Sequence, residues 1–396
     1  MISGKQSISD SIFLIQLFIL LILSTMVRAQ YNVLKDIGDI SINLTLAFML
    51  MFLVKSIMER RTFDTKLLKI NIAIFLLILI YTISFVISEQ AGNWYFIKLM
   101  LLFLFILGSI RIKWKPAHIK AIAYLLGIVL IFIFLHWVKL DFPNHKFKSI
   151  FTNPNYLAVF LFCMLYFKII AIKFGSNFER LYFSLLILLN LILIYNTNAR
   201  SVVVAMVVIL IAWIFMKQFT RMYPFLFHIV ITLNVVFIIL YVGIKSTNFG
   251  RLLDKISVQI FGKSFFSGRS SLWEGIMQAG IEKPIMGYGV GINANDVTGI
   301  KLTAHNQYLQ TFLEVGLVGF AIFVFLLFCI WKLLISRLDS FAAKWSACFF
   351  LGILVYENFE LTLFQNNYSI AFLQWLIITI GISFSDDTKR EEGQHL

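Results

Sequence analysis

The sequence predicts an all-α integral membrane protein of about twelve transmembrane helices, with one large loop that carries short helices. Three observations predict it. First, 60% of the 396 residues are hydrophobic and only 14% are charged, whereas a soluble domain carries roughly a quarter charged residues. A mean hydropathy of +0.88 points the same way. Second, apolar runs recur along the chain, each near the ~20 residues that one crossing needs. Third, Lys and Arg are shared unevenly between alternate connections. The same composition excludes a disordered chain, a disulfide scaffold and a collagen-like rod. With 5 Pro and 21 Gly, long low-complexity linkers are excluded too.

Twelve segments can be laid out, at about 10-28, 39-57, 69-88, 94-111, 117-138, 154-173, 179-196, 201-217, 223-244, 308-334, 341-358 and 367-384. With the amino terminus inside, 20 of the 34 Lys and Arg fall in inner loops or inner span ends. They include Lys55, Arg60, Arg61, Arg111, Lys113, Arg337, Lys389 and Arg390. Of the other 14, seven sit in the long outer loop 245-307, so the short connections contrast 20 with 7. Both termini are therefore expected in the cytoplasm. The first segment has the parts of a signal peptide, with Lys5 and a Val27-Arg28-Ala29 site. Its long apolar run and Arg28 favour an uncleaved span. One membrane domain, 1-384, is expected, followed by a polar tail, 385-396. No internal repeat is visible.

The net charge of +14 would suggest nucleic acid in a soluble protein. Here it belongs to the loops, and no nucleic-acid partner is expected. Cys163, Cys329 and Cys348 lie in apolar runs and read as small buried hydrophobes.

The outer connections hold the candidate chemistry, because an ionisable group at membrane depth has a desolvation cost. Ser271 and Glu274 have capping-box spacing. Leu272, Ile276 and Ala279 recur at helical spacing, which predicts a short amphipathic helix lying on the membrane and ended by Lys283-Pro284. Arg269 then stands before a helix amino terminus, where N–H groups and a guanidinium fork suit a phosphate. From spacing alone a lipid headgroup or a loop carbonyl is the more ordinary partner. Asn196-Thr197-Asn198-Ala199-Arg200-Ser201 is a tight polar turn that holds Arg200 close to the bundle. An anion contact and simple snorkelling are both open there.

His305 lies at the outer mouth of the tenth span. An imidazole can take a proton from a hydroxyl at neutral pH, although a lone interfacial histidine commonly has no role. Glu314 lies nine residues further on, roughly 13 Å deeper, where a structural hydrogen bond is expected. Pro154 suits a first helical turn, with Asn153 as its cap. Glu357 and Glu360 are expected to share one helix face, to pair with an outer Arg or to face water. Gly287-Tyr288-Gly289-Val290-Gly291 reads as a turn. Gly262-Lys263-Ser264 ends like a phosphate loop, but Ser257 replaces the first required Gly, so a nucleotide site is rejected. No outer cluster has metal-ligand spacing, so neither a metal nor a cofactor is expected.

Taken in order, these stretches resemble the O-antigen ligase and polymerase superfamily of bacterial membrane glycosyltransferases. The resemblance rests on Asn153-Pro154-Asn155, Asn198-Ala199-Arg200-Ser201, Gly268-Arg269 with Leu272-Trp273, and Pro284-Ile285-Met286-Gly287-Tyr288-Gly289. It is completed by His305-Asn306-Gln307-Tyr308-Leu309 with Glu314, Gly316-Leu317 and Gly319. It spans about 150-320, and no motif matches in the amino-terminal third. It implies a cavity open to the periplasm and a donor glycan on undecaprenyl diphosphate in the bacterial inner membrane. It implies that an acceptor hydroxyl attacks the anomeric carbon. Arg200 and Arg269 match the arginines that neutralise the diphosphate, and His305 matches the histidine proposed as base. Asn155, Glu274, Asn306, Tyr308 and Glu314 are candidate supporting residues. A polymerase of surface polysaccharide (O-antigen, capsule or exopolysaccharide) is favoured over a ligase to lipid A core on base rates alone. A glycan or lipid acceptor, membrane lipids and a chain-length regulator are the expected partners. The competing reading is a transporter or a flippase for lipid-linked sugars, which calls for internal symmetry and broken helices at mid-membrane. The enzyme reading requires Arg200, Arg269 and His305 in one pocket.

Overall fold

The computed structural model describes residues 2–59, 65–88, 92–218, 220–262, 264–266, 268–365 and 367–384. The expected tail 385–396 lies outside the described residues, as do Arg60, Arg61, Lys263, Ser267, Lys389, Arg390 and the Lys5 side chain. Among the described residues, nine α-helices precede the long loop. They are α1 (Ile2–Ser24), α2 (Asn32–Glu59), α3 (Leu68–Ile87), α4 (Asn93–Ser109), α5 (Pro116–Lys139), α6 (Pro154–Phe174), α7 (Asn177–Thr197), α8 (Arg200–Gln218) and α9 (Tyr223–Gly243). The loop carries α10 (Asn248–Phe261), α11 (Arg269–Glu282) and α12 (Ala294–Thr298). Then follow α13 (Gln307–Ile335), α14 (Phe341–Tyr356) and α15 (Tyr368–Ser383). Each of the twelve expected segments coincides with one of α1–α9 or α13–α15. Eight of these are long and apolar enough to cross a membrane, and α4, α8, α14 and α15 are shorter apolar helices. In hydrocarbon every backbone polar group must be satisfied within the chain, and a helix does this without a partner.

Burial sorts the helices into a centre and a rim. All of Ser369–Ile382 in α15 is buried, and most of α6 and α14. A helix covered on every side belongs in the middle of a bundle. On the rim, Phe75 of α3, Phe132 of α5, Leu188 of α7 and Leu233 of α9 stand exposed. So large an apolar surface suits lipid and not water. Helix α1 belongs to the bundle: Leu17 and Leu21 are buried, and Phe18 packs edge-on to Trp114 and Phe167. The three cysteines are buried and free.

Helix α13 is broken. Gly316 has φ 61° and ψ −163°, so the intrahelical ladder is interrupted there. The segment Pro284–Gly289 fills the gap. Tyr288 N–H donates to Leu313 O at 2.8 Å and Gly289 N–H to Glu314 O at 3.0 Å. In return Leu317 N–H donates to Pro284 O at 2.8 Å. The glycine turn expected at 287–291 is therefore a plug that re-satisfies a broken helix. Side chains have no room at this junction: a Cβ on Gly316 would lie 2.3 Å from Ile285 O. Gly316→Ala adds this clash to a left-handed φ, and we expect a loss of more than about 2 kcal/mol. Thermal unfolding in detergent measures it, and an unchanged melting temperature would contradict the account.

The loop helices depart from the expectation in two ways. The box of Ser271 and Glu274 does not form. Gly268, at φ 75°, turns the chain so that α11 starts at Arg269, two residues before Ser271. Ser271 instead accepts from Lys245 Nζ at 2.5 Å, and the Glu274 side chain is exposed. Nor does α11 lie on the membrane by its apolar face. Leu272 and Ile276 are buried, and Trp273 donates to Ala304 O at 2.8 Å and packs on Tyr241. The amphipathic helix is α10, whose Phe249, Leu252, Ile256 and Ile260 form an exposed apolar stripe.

Candidate active site

Four helices begin at the loop end of the bundle, and each brings one residue of interest. At the start of α6, Asn153 caps the helix by accepting from Asn155 N–H at 2.9 Å, with Pro154 in the first turn. This local geometry, expected from the sequence, presents Asn155. Asn198, left-handed at φ 56°, closes α7 and leaves Arg200 as the first residue of α8. Arg269 is the first residue of α11. His305 stands just before α13, whose cap is the Asn306 side chain, accepting from Leu309 N–H at 3.0 Å. Each helix start adds partial positive charge, so their convergence favours an anion before any side chain is counted.

Glu360 ties these starts together. Its Oε1 lies 3.7 Å from Arg269 Nη2 and accepts from Asn155 Nδ2 at 3.4 Å. Its Oε2 lies 3.2 Å from His305 Nδ1. The expectation that Glu357 and Glu360 share a helix face is corrected. Helix α14 stops at Tyr356, Glu357 is its C-cap, and Glu360 lies beyond it. The two carboxylates then part: Glu357 turns inward to Thr362 and Gln374, while Glu360 takes the outer-Arg option.

Arg200 donates through Nη1 to Ser257 Oγ at 3.2 Å and through Nη2 to Ser264 O at 3.4 Å. It thereby fastens α8 to α10 and to the segment that follows it. That segment is held further by Asp254. The Ser264 hydroxyl at 2.6 Å and the Phe265 N–H at 2.7 Å keep the Asp254 carboxyl below its ordinary pKa range. Burial, and then the charge of Arg269, pull the Arg200 guanidinium below its ordinary pKa range. Glu360 thus joins Arg269 and His305, while Arg200 is joined to α10 and lies near enough to Arg269 to feel its charge.

Residues 185–324 match the family model described as O-antigen ligase. Over this stretch the chain is similar to that family, which supports the O-antigen ligase and polymerase superfamily. The matched stretch runs from within α7 to within α13, so it contains Arg200, Arg269 and His305 but neither Asn155 nor Glu360. No curated protein matches the chain. The match and the long apolar helices together support a multi-pass membrane protein of the O-antigen ligase type.

His305 carries a backbone signature as well. Its φ is 45°, a left-handed value rare outside glycine. Such a conformation costs about 1–2 kcal/mol and persists only where its surroundings impose it. Here the Ala304 carbonyl is held by Trp273, and Asn306 is held as the α13 cap.

The remaining candidates have other partners. Tyr308 is buried, with its hydroxyl donating to Leu354 O at 2.6 Å and accepting from Asn234. Asn306 is buried as a cap and also donates to Asn358 O at 3.2 Å. Glu314 is buried and accepts from Tyr95 at 3.2 Å, Gln310 at 3.1 Å, Gly291 N–H at 3.3 Å and Gln365. It sits beside the α13 break, where the expected structural hydrogen bonding is found. Ser270, which the sequence reading passed over, is buried at 1% exposure, and its hydroxyl has no partner among the described residues. Its only sequence signal is its place after Arg269 in the first turn of a helix.

Proposed function

We propose that this protein transfers a glycan from undecaprenyl diphosphate to an acceptor hydroxyl at the periplasmic face, and that it polymerises surface polysaccharide. The reading rests above all on the shared carboxylate of Glu360, which draws the expected base and one expected diphosphate arginine together. In this reading the chain is one domain of twelve spans in the inner membrane, with both termini cytoplasmic. The four shorter apolar helices cross with the eight long ones.

The residues divide the work. Glu360 Oε2 accepts the Nδ1 proton of His305, which leaves Nε2 free as an acceptor. The acceptor hydroxyl attacks the anomeric carbon and gives its proton to Nε2. A new C–O bond forms, the bond to the diphosphate breaks, and the lipid diphosphate leaves with the electron pair. Arg200 and Arg269 stabilise the charge that develops on the leaving group. Two guanidinium groups held near one another repel, and a diphosphate between them relieves that repulsion. They supply the positive charge without a metal ion. Ser270 adds a free hydroxyl in the first turn of α11.

Glu360 is then a positioning residue. Glu360→Gln should lower kcat about tenfold to a hundredfold with little change in the donor KM, and Glu360→Asp should recover part of the loss. Equal losses in both variants with reduced thermal stability would mean a structural role only.

The transporter reading has one feature in its favour, the break in α13. However, that break is filled by Pro284–Gly289, and a Cβ on Gly287 would lie 2.6 Å from Leu313 O. A solute has no room there. Membranes supplied with lipid-diphosphate-linked repeat units provide the test. A ladder of longer lipid-linked chains supports the polymerase. Single transfer to another acceptor replaces it with a ligase. Donor appearing on the other leaflet without transfer overturns the enzyme reading.

A further inference from the structure

A second polar surface lies on the far side of α11 from Arg269. Ser271, Gln278 and Glu282 line one face of α11, and Asp296, Thr298 and Tyr288 close over them. They enclose an open groove of about 390 Å³. It follows α11 over the eleven steps from Ser271 to Glu282, or about 16 Å at 1.5 Å per residue.

The lining has a distinct chemistry. It offers hydroxyls, an amide, a phenol and two carboxylates, and no Lys or Arg lines it. The two carboxylates are each half used. Glu282 Oε2 accepts from the Tyr288 hydroxyl at 2.7 Å, and Asp296 Oδ2 from Asn293 N–H at 2.9 Å. Glu282 Oε1 and Asp296 Oδ1 have no partner among the described residues. Ionised oxygens with free lone pairs are strong acceptors for hydroxyl groups. Tyr288 is half-buried and offers an apolar ring beside them, steadied by Lys283 Nζ at 4.6 Å from its centroid. Uncharged polyhydroxyl ligands match such a lining: many donors, flat apolar faces and no negative charge.

The groove is also rigidly tied to the site already described. Its floor approaches closely, since a Cβ on Gly275 would lie 2.8 Å from Thr298 Cγ2. Ile300, another lining residue, is five positions before His305. Between them Ala304 is fixed by Trp273 of the same helix. Tyr288 belongs to the segment that plugs α13. Helix α11 thus presents Arg269 on one face and this groove on the other.

We propose that the α11–α12 groove is a glycan-binding subsite, which holds sugar residues of the substrate away from the reacting carbon. This rests on the glycosyltransferase reading for its biological meaning, though not for the binding itself. The groove engages several hydroxyls over more than one ring, so it favours a whole repeat unit over a single sugar.

The test uses the full chain in nanodiscs and two readouts. The first is binding of a free oligosaccharide, released by mild acid from the host's own lipid-linked repeat unit and followed by titration calorimetry. The second is transfer of the intact lipid-linked unit. Glu282→Gln with Asp296→Asn should raise the oligosaccharide Kd at least tenfold and reduce transfer. Arg269→Ala should lower transfer by about 10²- to 10³-fold and leave free-oligosaccharide binding in place. Gln278→Trp, which fills the groove, is the second variant if the carboxylate pair proves unstable. Wild type that binds no oligosaccharide, or a double variant and Gln278→Trp that both bind and transfer as wild type does, overturns the groove. Wild type that binds the oligosaccharide through Glu282 and Asp296 but transfers nothing supports the groove and overturns the glycosyltransferase reading.

Discussion

His305→Ala should lower transfer by about 10²- to 10⁴-fold, the usual contribution of a positioned general base. The protein should remain folded. The backbone at this position is left-handed, with φ 45°, so the histidine is held at a cost of about 1–2 kcal/mol. His305→Gly removes that strain along with the imidazole. It should therefore lose transfer to the same extent while its melting temperature stays level or rises. The comparison separates two explanations that a single variant would confuse. If His305→Gly is as inactive as His305→Ala but no less stable than wild type, the imidazole serves the reaction. If both variants melt early and transfer falls only in proportion to the folded fraction, His305 is a structural residue. Retained transfer in the folded glycine variant would remove His305 from the mechanism.

Arg269→Ala and Arg200→Ala should each lower transfer by about 10²- to 10³-fold, the range found when one donor to a developing negative charge is removed. Lysine should not restore Arg269. A guanidinium presents a planar fork, which a lysine point charge does not copy. The two losses should not add in the double variant, because both residues act on one leaving group. The variants should differ in a second measurement. Arg200 also donates to Ser257 and Ser264 O, so Arg200→Ala should speed hydrogen exchange at 264–266. Arg269 meets that segment through its backbone, its N–H donating to Phe266 O at 2.9 Å, and Arg269→Ala keeps this bond and should leave the exchange alone. Normal transfer by either alanine variant would sink the proposed diphosphate role of that arginine.

Some features were legible because they are local. A bilayer demands long apolar helices, so the positions of α1–α9 and α13–α15 follow from runs of side chains. The Asn153 cap and the Asn198 turn followed from residues two to four positions apart. Three motif residues, Arg200, Arg269 and His305, lie within the segment 185–324 that matches the O-antigen ligase family. Local spacing failed at α11, where a box at Ser271 looked sound. Gly268 offered a left-handed turn earlier, and burial of Leu272 and Trp273 rewarded it. The exposed apolar stripe lies instead on α10.

By itself, then, the sequence determined that the chain is helical, apolar throughout and charged at its turns, since these depend only on neighbours along one helix. The tertiary structure alone decided that Glu360 should join Asn155, Arg269 and His305. Those contacts span 55 residues to His305 and 205 to Asn155, and no periodicity reaches so far. It alone decided that Pro284–Gly289 should fill the break at Gly316, since that requires two backbones to meet without side chains between them. The physical reason is the same in both cases. A bilayer fixes which segments become helices, but packing between helices fixes which of their ends meet.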